Sequence, residues 1–391
     1  MSQELVVGME HFQARWRERP TDRAFMRQAL ALAERHLGLT RPNPSVGAVL
    51  VDETTGVILS RAVTAPGGRP HAERLAIDAA GERARGATLF VTLEPCAHHG
   101  RTPPCAEAVV AAGIGRVVCG IEDPDPRVAG EGFAILRRAG IEVVTGVMEA
   151  QCRELHADHV MRVTAGRPFL TLKLAMTADG FAATVKASPL RITGEIANAQ
   201  THLLRARSDA VLVGVGTVLA DDPRLTCRLP GLEARSPIRV VLDTRLRMPP
   251  SAEIVVSARA TPSWVIAGAD APRQAETELA KAGVEVIRVS VGEAGSVDIR
   301  RALQELAARG VTRLLCEGGP RLADRLAKEG LLDELVLISS ARRLDRPGLP
   351  AIGPALSAAI SRQEVAPIDN LAFGEDRWVR YLRSQACSPA S

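Results

Sequence analysis

Apolar positions in this 391-residue chain fall into short runs bounded by turn residues, and between the runs they recur at helical spacing. Thr21 and Asp22 offer an N-cap for a helix running to about Leu37, with Phe25, Ala29, Leu32 and His36 on one face. RPNPS breaks that pattern, and VGAVLVD reads as a buried strand. TAPGGRP is a loop, HAERLAIDAA a helix beginning near His71, and ATLFVTLE a strand ending at Pro95. A polar loop leads to CAEAVVAAG, a helix opened by Pro103 and Pro104, whose fixed φ suits a first turn. The strand RVVCGIE, the turn DPDP, the helix EGFAILRRAG and the strand IEVVTGV follow.

After QCRELHADHVMRVTAGRP the pattern restarts. PFLTLKLAM, DAVLVGVG, IRVVLD, SWVIAG, VEVIRV, TRLLCEGG and ELVLISS read as strands, with helices near 195–207, 297–309 and 320–329. Strands alternating with helices predict α/β sheets with parallel pairs. TAGRP reads as a linker, which divides the chain into a leader 1–20, a first domain 21–165, a second domain 166–385 and a tail 386–391.

Composition narrows the function classes. Hydrophobic residues make up 46% and charged residues 24%, which excludes a disordered chain. No apolar run reaches the ~20 residues of a membrane span, and the N-terminus lacks an export signal, so a cytoplasmic protein is expected. The net charge is only +4 and aromatics are 3%, with no basic run, which argues against nucleic-acid binding. Seven cysteines in such a chain point to metal binding or packing rather than to a disulfide framework.

The strongest chemical signal is H-A-E at His71–Glu73, followed by Cys96 after a proline and by Cys105. One imidazole and two sulfurs make three ligands for zinc, leaving a fourth tetrahedral position for water, as a catalytic site requires. Glu73, two residues after His71, would sit beside the metal without binding it and carry a proton to a leaving amine. This is the zinc-deaminase arrangement, in which hydroxide attacks an amidine-like ring carbon and ammonia leaves. Two other readings stand beside it. A deaminase of tRNA or DNA bases is disfavoured by the weak charge and by eight residues, not two, between Cys96 and Cys105. A non-catalytic zinc module would take His98 or His99 as a fourth ligand and would have no need of Glu73.

The stretch TLEPCAHHGRTPPC, residues 92–105, resembles the signature of the bifunctional riboflavin-biosynthesis deaminase-reductase family (RibD). The likeness extends to RPNPSVGAVLV, HAE, EDPDPRVAGEGFAILRRAGIEV, RPFLTLKLAM, LADDPRLTCR and CEGGPRLADRL, about residues 21–385 in all. It implies a cytidine-deaminase-like N-terminal domain and a dihydrofolate-reductase-like C-terminal domain. The first would deaminate 2,5-diamino-6-ribosylamino-4(3H)-pyrimidinone 5′-phosphate. The second would use NADPH to reduce the ribosyl group of the product to a ribityl chain. By the matching motifs, His71, Cys96 and Cys105 hold one zinc and Glu73 is catalytic. Asn43, His98 and Arg101 meet substrate in the first domain, and Ser188, Arg205, Leu225, Arg228 and Glu317 meet it in the second. Cofactor contacts fall at Met176, Arg191, Thr217 and Asp221, and along the turn Gly319, Pro320, Arg321, Leu322, Ala323, Asp324 and Arg325. Arg191 stands where the family commonly has Trp, and the role of Lys173 stays open. The partners implied are a small phosphoribosyl-pyrimidine and further copies of the chain, with no nucleic acid and no membrane.

Of the remaining residues, Cys119 and Cys316 read as packing. His156 and His159 read as a surface pair or an interdomain contact, and His202 as an ordinary histidine.

Overall fold

The computed structural model describes residues 19–99, 103–184, 192–292 and 295–384. Arg101, Ser188, Arg191 and Cys387 lie outside the described residues. The chain divides into two compact units, Met1–Ala165 and Gly166–Ser391. Among the described residues no helix is long and apolar enough to cross a membrane.

The first unit runs α1 (Asp22–Glu34), β1 (Gly47–Asp52), β2 (Val57–Val63), α2 (Ala72–Ala80), β3 (Thr88–Leu93), α3 (Cys105–Ala111), β4 (Arg116–Ile121), α4 (Glu131–Arg138), β5 (Glu142–Val144), α5 (Glu149–Leu155) and α6 (Ala157–Ala165). Its sheet has the order β2-β1-β3-β4-β5. β3, β4 and β5 are parallel, while β1 is antiparallel to both neighbours. β3 and β4 are buried at every position, which explains their unbroken apolar runs. The β2 strand escapes a pattern reading because it is a half-exposed edge carrying Ser60 and Arg61 among its apolar residues.

Two expectations about α1 need correction. It ends at Glu34, three residues short of Leu37. Thr21 has helical φ/ψ and makes no side-chain cap, and the Asp22 carboxylate is instead drawn into a buried ion pair. Both Asp22 oxygens accept from Arg116 on β4, at 3.0 and 2.8 Å. Arg116 also reaches Glu53 at 2.7 Å and Glu142 at 3.2 Å. A fully buried charge is held only where such partners surround it.

The helix–sheet contact under α1 leaves no spare room. A Cβ on Gly47 would sit 1.9 Å from the Ala29 carbonyl oxygen. Gly47→Ala is expected to destabilise the first unit by about 1–3 kcal/mol, the usual cost of overpacking. Urea unfolding followed by circular dichroism measures it, and an unchanged midpoint would show that α1 slides freely on β1.

The second unit runs β6 (Phe169–Met176), β7 (Phe181–Thr184), α7 (Glu195–Ala206), β8 (Ala210–Gly214), α8 (Val215–Asp221), β9 (Ile238–Leu242), α9 (Glu253–Val256), β10 (Ser263–Gly268), α10 (Arg273–Ala282), β11 (Glu285–Val289), α11 (Ile299–Ala308), β12 (Arg313–Cys316), α12 (Pro320–Lys328), β13 (Glu334–Ser339), β14 (Gly348–Pro350), α13 (Pro354–Ser361), β15 (Val365–Phe373) and β16 (Asp376–Arg383). The main sheet has the order β11-β10-β9-β8-β12-β6-β13-β16-β15. It is parallel from β11 to β13 and closes with the antiparallel hairpin β15–β16. The neighbours β8, β12 and β6 place their carboxyl ends side by side. In parallel α/β sheets ligands settle outside such carboxyl ends. Cys119 and Cys316 are fully buried in β4 and β12, as packing requires.

Candidate functional site

Three loops converge at the carboxyl end of β3. His71 is the residue before α2 and has extended backbone. Cys96 follows β3, and Cys105 opens α3 behind Pro104. The His71 Nδ1 lies 3.7 Å from Cys96 Sγ and 3.4 Å from Cys105 Sγ. The Cys105 backbone N–H donates to Cys96 Sγ at 3.3 Å. The three donor atoms lie within 4.8 Å of one another, and no fourth His, Cys, Asp or Glu joins them among the described residues. The exposed His99 instead has its Nε2 3.6 Å from Glu107. One borderline nitrogen and two soft sulfurs at that spacing fit zinc. Hydrogen bonding from the Cys105 and His71 side chains holds the Cys96 thiol down to about 4, and the bond to Cys96 together with burial pushes Cys105 up.

Glu73 sits in the first turn of α2, 3% exposed. Burial pushes its carboxyl up to about 7 against the pull of His71. Its Oε2 has no hydrogen-bond partner among the described residues. It lines a cavity of about 390 Å³ together with His71, Cys96, Asn43 and His98. Asn43 is pinned by a bond from its Nδ2 to the Gly68 carbonyl at 2.8 Å. Gly68 has φ +83°, and a Cβ there would sit 2.6 Å from the Thr40 carbonyl and 2.8 Å from Asn43 Cβ, so only glycine allows the approach.

The cavity also holds residues the sequence reading passed over. The DPDP turn contributes Asp123 and Asp125, and α6 contributes His159 and Arg162. His156 and His159 are not a surface pair: they are 1% and 7% exposed, with hydrogen-bond partners in the first unit. His156 Nε2 meets Thr92 Oγ1 at 2.9 Å, and His159 Nε2 meets Asp123 Oδ1 at 2.8 Å. Glu94 holds the turn in place, accepting backbone N–H groups of Asp123, Gly130 and Phe133 at 3.1–3.2 Å.

In the second unit a charged cluster joins Glu317, just after β12, to Arg205 on α7 and Lys173 within β6. The Glu317 carboxylate accepts both arms of Arg205, at 2.5 and 2.9 Å. Burial alone would raise Glu317, but Arg205 and then Lys173 more than offset it, and its carboxyl stays below the usual range. Burial lowers Lys173, and Glu317 pulls it back. Arg205 Nη1 also donates to the Thr226 carbonyl at 3.0 Å. The guanidinium is thus held by protein acceptors, and Arg228 is exposed. His202, read as ordinary, is 4% exposed and accepts the Arg228 backbone N–H at 3.2 Å. Leu225 is buried at φ +54°, a backbone state rarely tolerated by leucine.

Met176 ends β6, and Thr217 and Asp221 lie in α8 just beyond β8. Gly319 is the N-cap of α12 with no side-chain cap, and a Cβ there would meet open space. Pro320 and Arg321 begin that helix. Farther along, the turn belongs to the fold: Ala323 is buried in the core, the Asp324 carboxylate accepts the Leu356 N–H at 3.0 Å, and Arg325 donates to Ser296 and Val297 at 2.8 Å.

Three donor atoms that fit zinc beside a buried glutamate, on a mixed sheet, are the arrangement of a cytidine-deaminase-like unit, here followed along the chain by a largely parallel α/β unit. Residues 19–121 match the cytidine and deoxycytidylate deaminase zinc-binding region, and residues 168–342 match the RibD C-terminal domain. The chain is 42% identical over 319 residues to the riboflavin biosynthesis protein RibD of Aquifex aeolicus, covering 82% of this chain and 86% of that one. It is 38% identical to RibD of Escherichia coli, covering 83% and 88%. The Acinetobacter baumannii RibD structure superposes with a TM-score of 0.82 at 35% identity, covering 93% of this chain and 99% of that one. A Thermotoga maritima diaminohydroxyphosphoribosylaminopyrimidine deaminase/5-amino-6-(5-phosphoribosylamino)uracil reductase gives 0.78 at 32% identity, with the same coverage. The chain belongs to the RibD family, the bifunctional deaminase-reductases of riboflavin biosynthesis.

Proposed function

We propose that the first unit deaminates the diaminopyrimidine ribosyl phosphate and that the second reduces the ribosyl group of the product with NADPH. The observation that carries the first half is the triad itself: three donor atoms within 4.8 Å of one another, beside a buried carboxyl with an unpartnered oxygen. His71, Cys96 and Cys105 would hold zinc, which when bound supplies Lewis-acid activation of a water. Glu73 Oε2 takes the proton of the attacking water and delivers it to the departing amine. Asn43, fixed by the Gly68 carbonyl, positions the ring, and His98 with Arg101 receives the phosphoribosyl portion.

In the second unit the uncapped start of α12 offers backbone N–H groups to a cofactor phosphate, and Gly319 keeps the approach open. NADPH, when bound, supplies the hydride. Met176, Thr217 and Asp221 border the cofactor on the neighbouring strand ends, with Ser188 and Arg191 nearby in sequence. Glu317, held by Arg205, faces the sugar together with Leu225 and Arg228. We place the enzyme in the cytoplasm as a homo-oligomer.

A coupled assay tests both halves. With the diaminopyrimidine substrate, ammonia release and NADPH oxidation should proceed in one tube. A zinc chelator should abolish ammonia release yet leave NADPH oxidation intact when the deaminated intermediate is supplied. Ammonia release that survives removal of zinc sinks the deaminase mechanism.

A further inference from the structure

The zinc chemistry leaves one wall of the deaminase cavity without a role. That wall is built from the Asp123–Arg127 turn and from α6. His159, on α6, lines it and is 7% exposed. Its Nε2 faces Asp123 Oδ1 at 2.8 Å, and the same oxygen accepts the Asp125 backbone N–H at 2.9 Å. The ring Nδ1 is buried and has no hydrogen-bond partner among the described residues. Such orphans are rare, because an unpaired buried polar atom is costly. A carboxylate only accepts, so the proton of a neutral imidazole paired with it sits on Nε2, and Nδ1 is left as a bare acceptor. Neighbouring groups are already engaged: Asn43 Nδ2 with Gly68, Glu94 with three backbone N–H groups, and the Arg127 guanidinium with Asp125. His98 Nδ1 is also unpartnered, but it follows Cys96 by two residues and is already assigned to the phosphoribosyl portion.

We propose that His159 determines specificity in the deaminase unit, its Nδ1 accepting a hydrogen bond from the amino group that the pyrimidine keeps. This rests on the deaminase reading above. The proposed substrate carries two primary ring amines besides its ribosylamino nitrogen; the 2-amino group leaves and the 5-amino group stays. A fixed acceptor on the cavity wall matches a donor that survives the reaction, and it separates this substrate from pyrimidines without that amine. The hydrogen bond is present before and after the chemical step, so it contributes uniform binding and appears in KM rather than in kcat.

The test uses the full-length zinc enzyme with two compounds, the diaminopyrimidine ribosyl phosphate and its analogue lacking the 5-amino group. His159→Phe should raise KM for the first compound about tenfold, with kcat within about threefold and zinc content unchanged. For the analogue, wild type and His159→Phe should share one KM. His159→Gln, which keeps an acceptor, should recover part of the loss, and NADPH oxidation by the same chains reports that each variant is intact. An unchanged KM for the first compound in His159→Phe overturns the proposal, as does an equal loss on both compounds, which would mark a packing role. Failure of the wild type to release ammonia from the first compound overturns the deaminase reading itself, a result distinct from either.

Discussion

Replacing Glu73 by Gln is expected to cut ammonia release by about 10²–10⁴-fold, the range lost with a positioned proton carrier, while zinc stays bound. The side chain is buried in the first turn of α2 and lies outside the set of metal-donor atoms. Glutamine keeps its shape but cannot cycle a proton. Metal analysis separates a missing carrier from a missing ion, and NADPH oxidation on pre-deaminated substrate checks the other half of the chain. Turnover within tenfold of wild type would mean that the proton travels by another route.

Arg205→Ala should act on the other half. It strips Glu317 of a partner that grips both of its oxygens, leaving a buried carboxylate with Lys173 as its remaining cation. Breaking a buried pair from one side costs about 3–5 kcal/mol, and Lys173 should keep the loss near the lower end. Because Glu317 follows β12 directly at the crevice edge, its displacement should also lower reductase turnover by about 10²-fold. Urea unfolding and NADPH oxidation measure the two effects, with ammonia release as the internal reference. Reductase activity equal to wild type would show that the Arg205–Glu317 pair serves the fold alone.

Much of this architecture was legible from residue pattern. β3, β4, β8, β9 and β10 are mostly apolar because they are covered on both faces, and such runs stand out even with Arg116 in β4 and Arg239 in β9. The hairpin β15–β16 does not: β15 carries Pro367, a register shift and mostly exposed side chains, so nothing in VAPIDNLAF alternates cleanly. α10 was missed for a related reason, since Leu279 is its only buried residue. The chemistry followed the same division. His71, Glu73, Cys96 and Cys105 announce themselves because metal chemistry restricts residue type and local spacing. His159 and Asp123 stand 36 positions apart and meet only through packing of α6 against the β4–α4 turn, so the sequence shows an ordinary turn and an ordinary helix. The expected cap at Thr21 and Asp22 failed likewise: the Asp22 carboxylate is held by Arg116, 94 positions away, and by the preceding Arg19 N–H rather than by the first turn of the helix.

That contact governs how far the protein can be trimmed from its front end. Any shortening that removes Asp22 deletes the most deeply enclosed of the anions around Arg116 and leaves Glu53 and Glu142, both partly open to water, to neutralise it. A minimal catalytic fragment must therefore begin ahead of that aspartate, although it is not among the metal-donor residues.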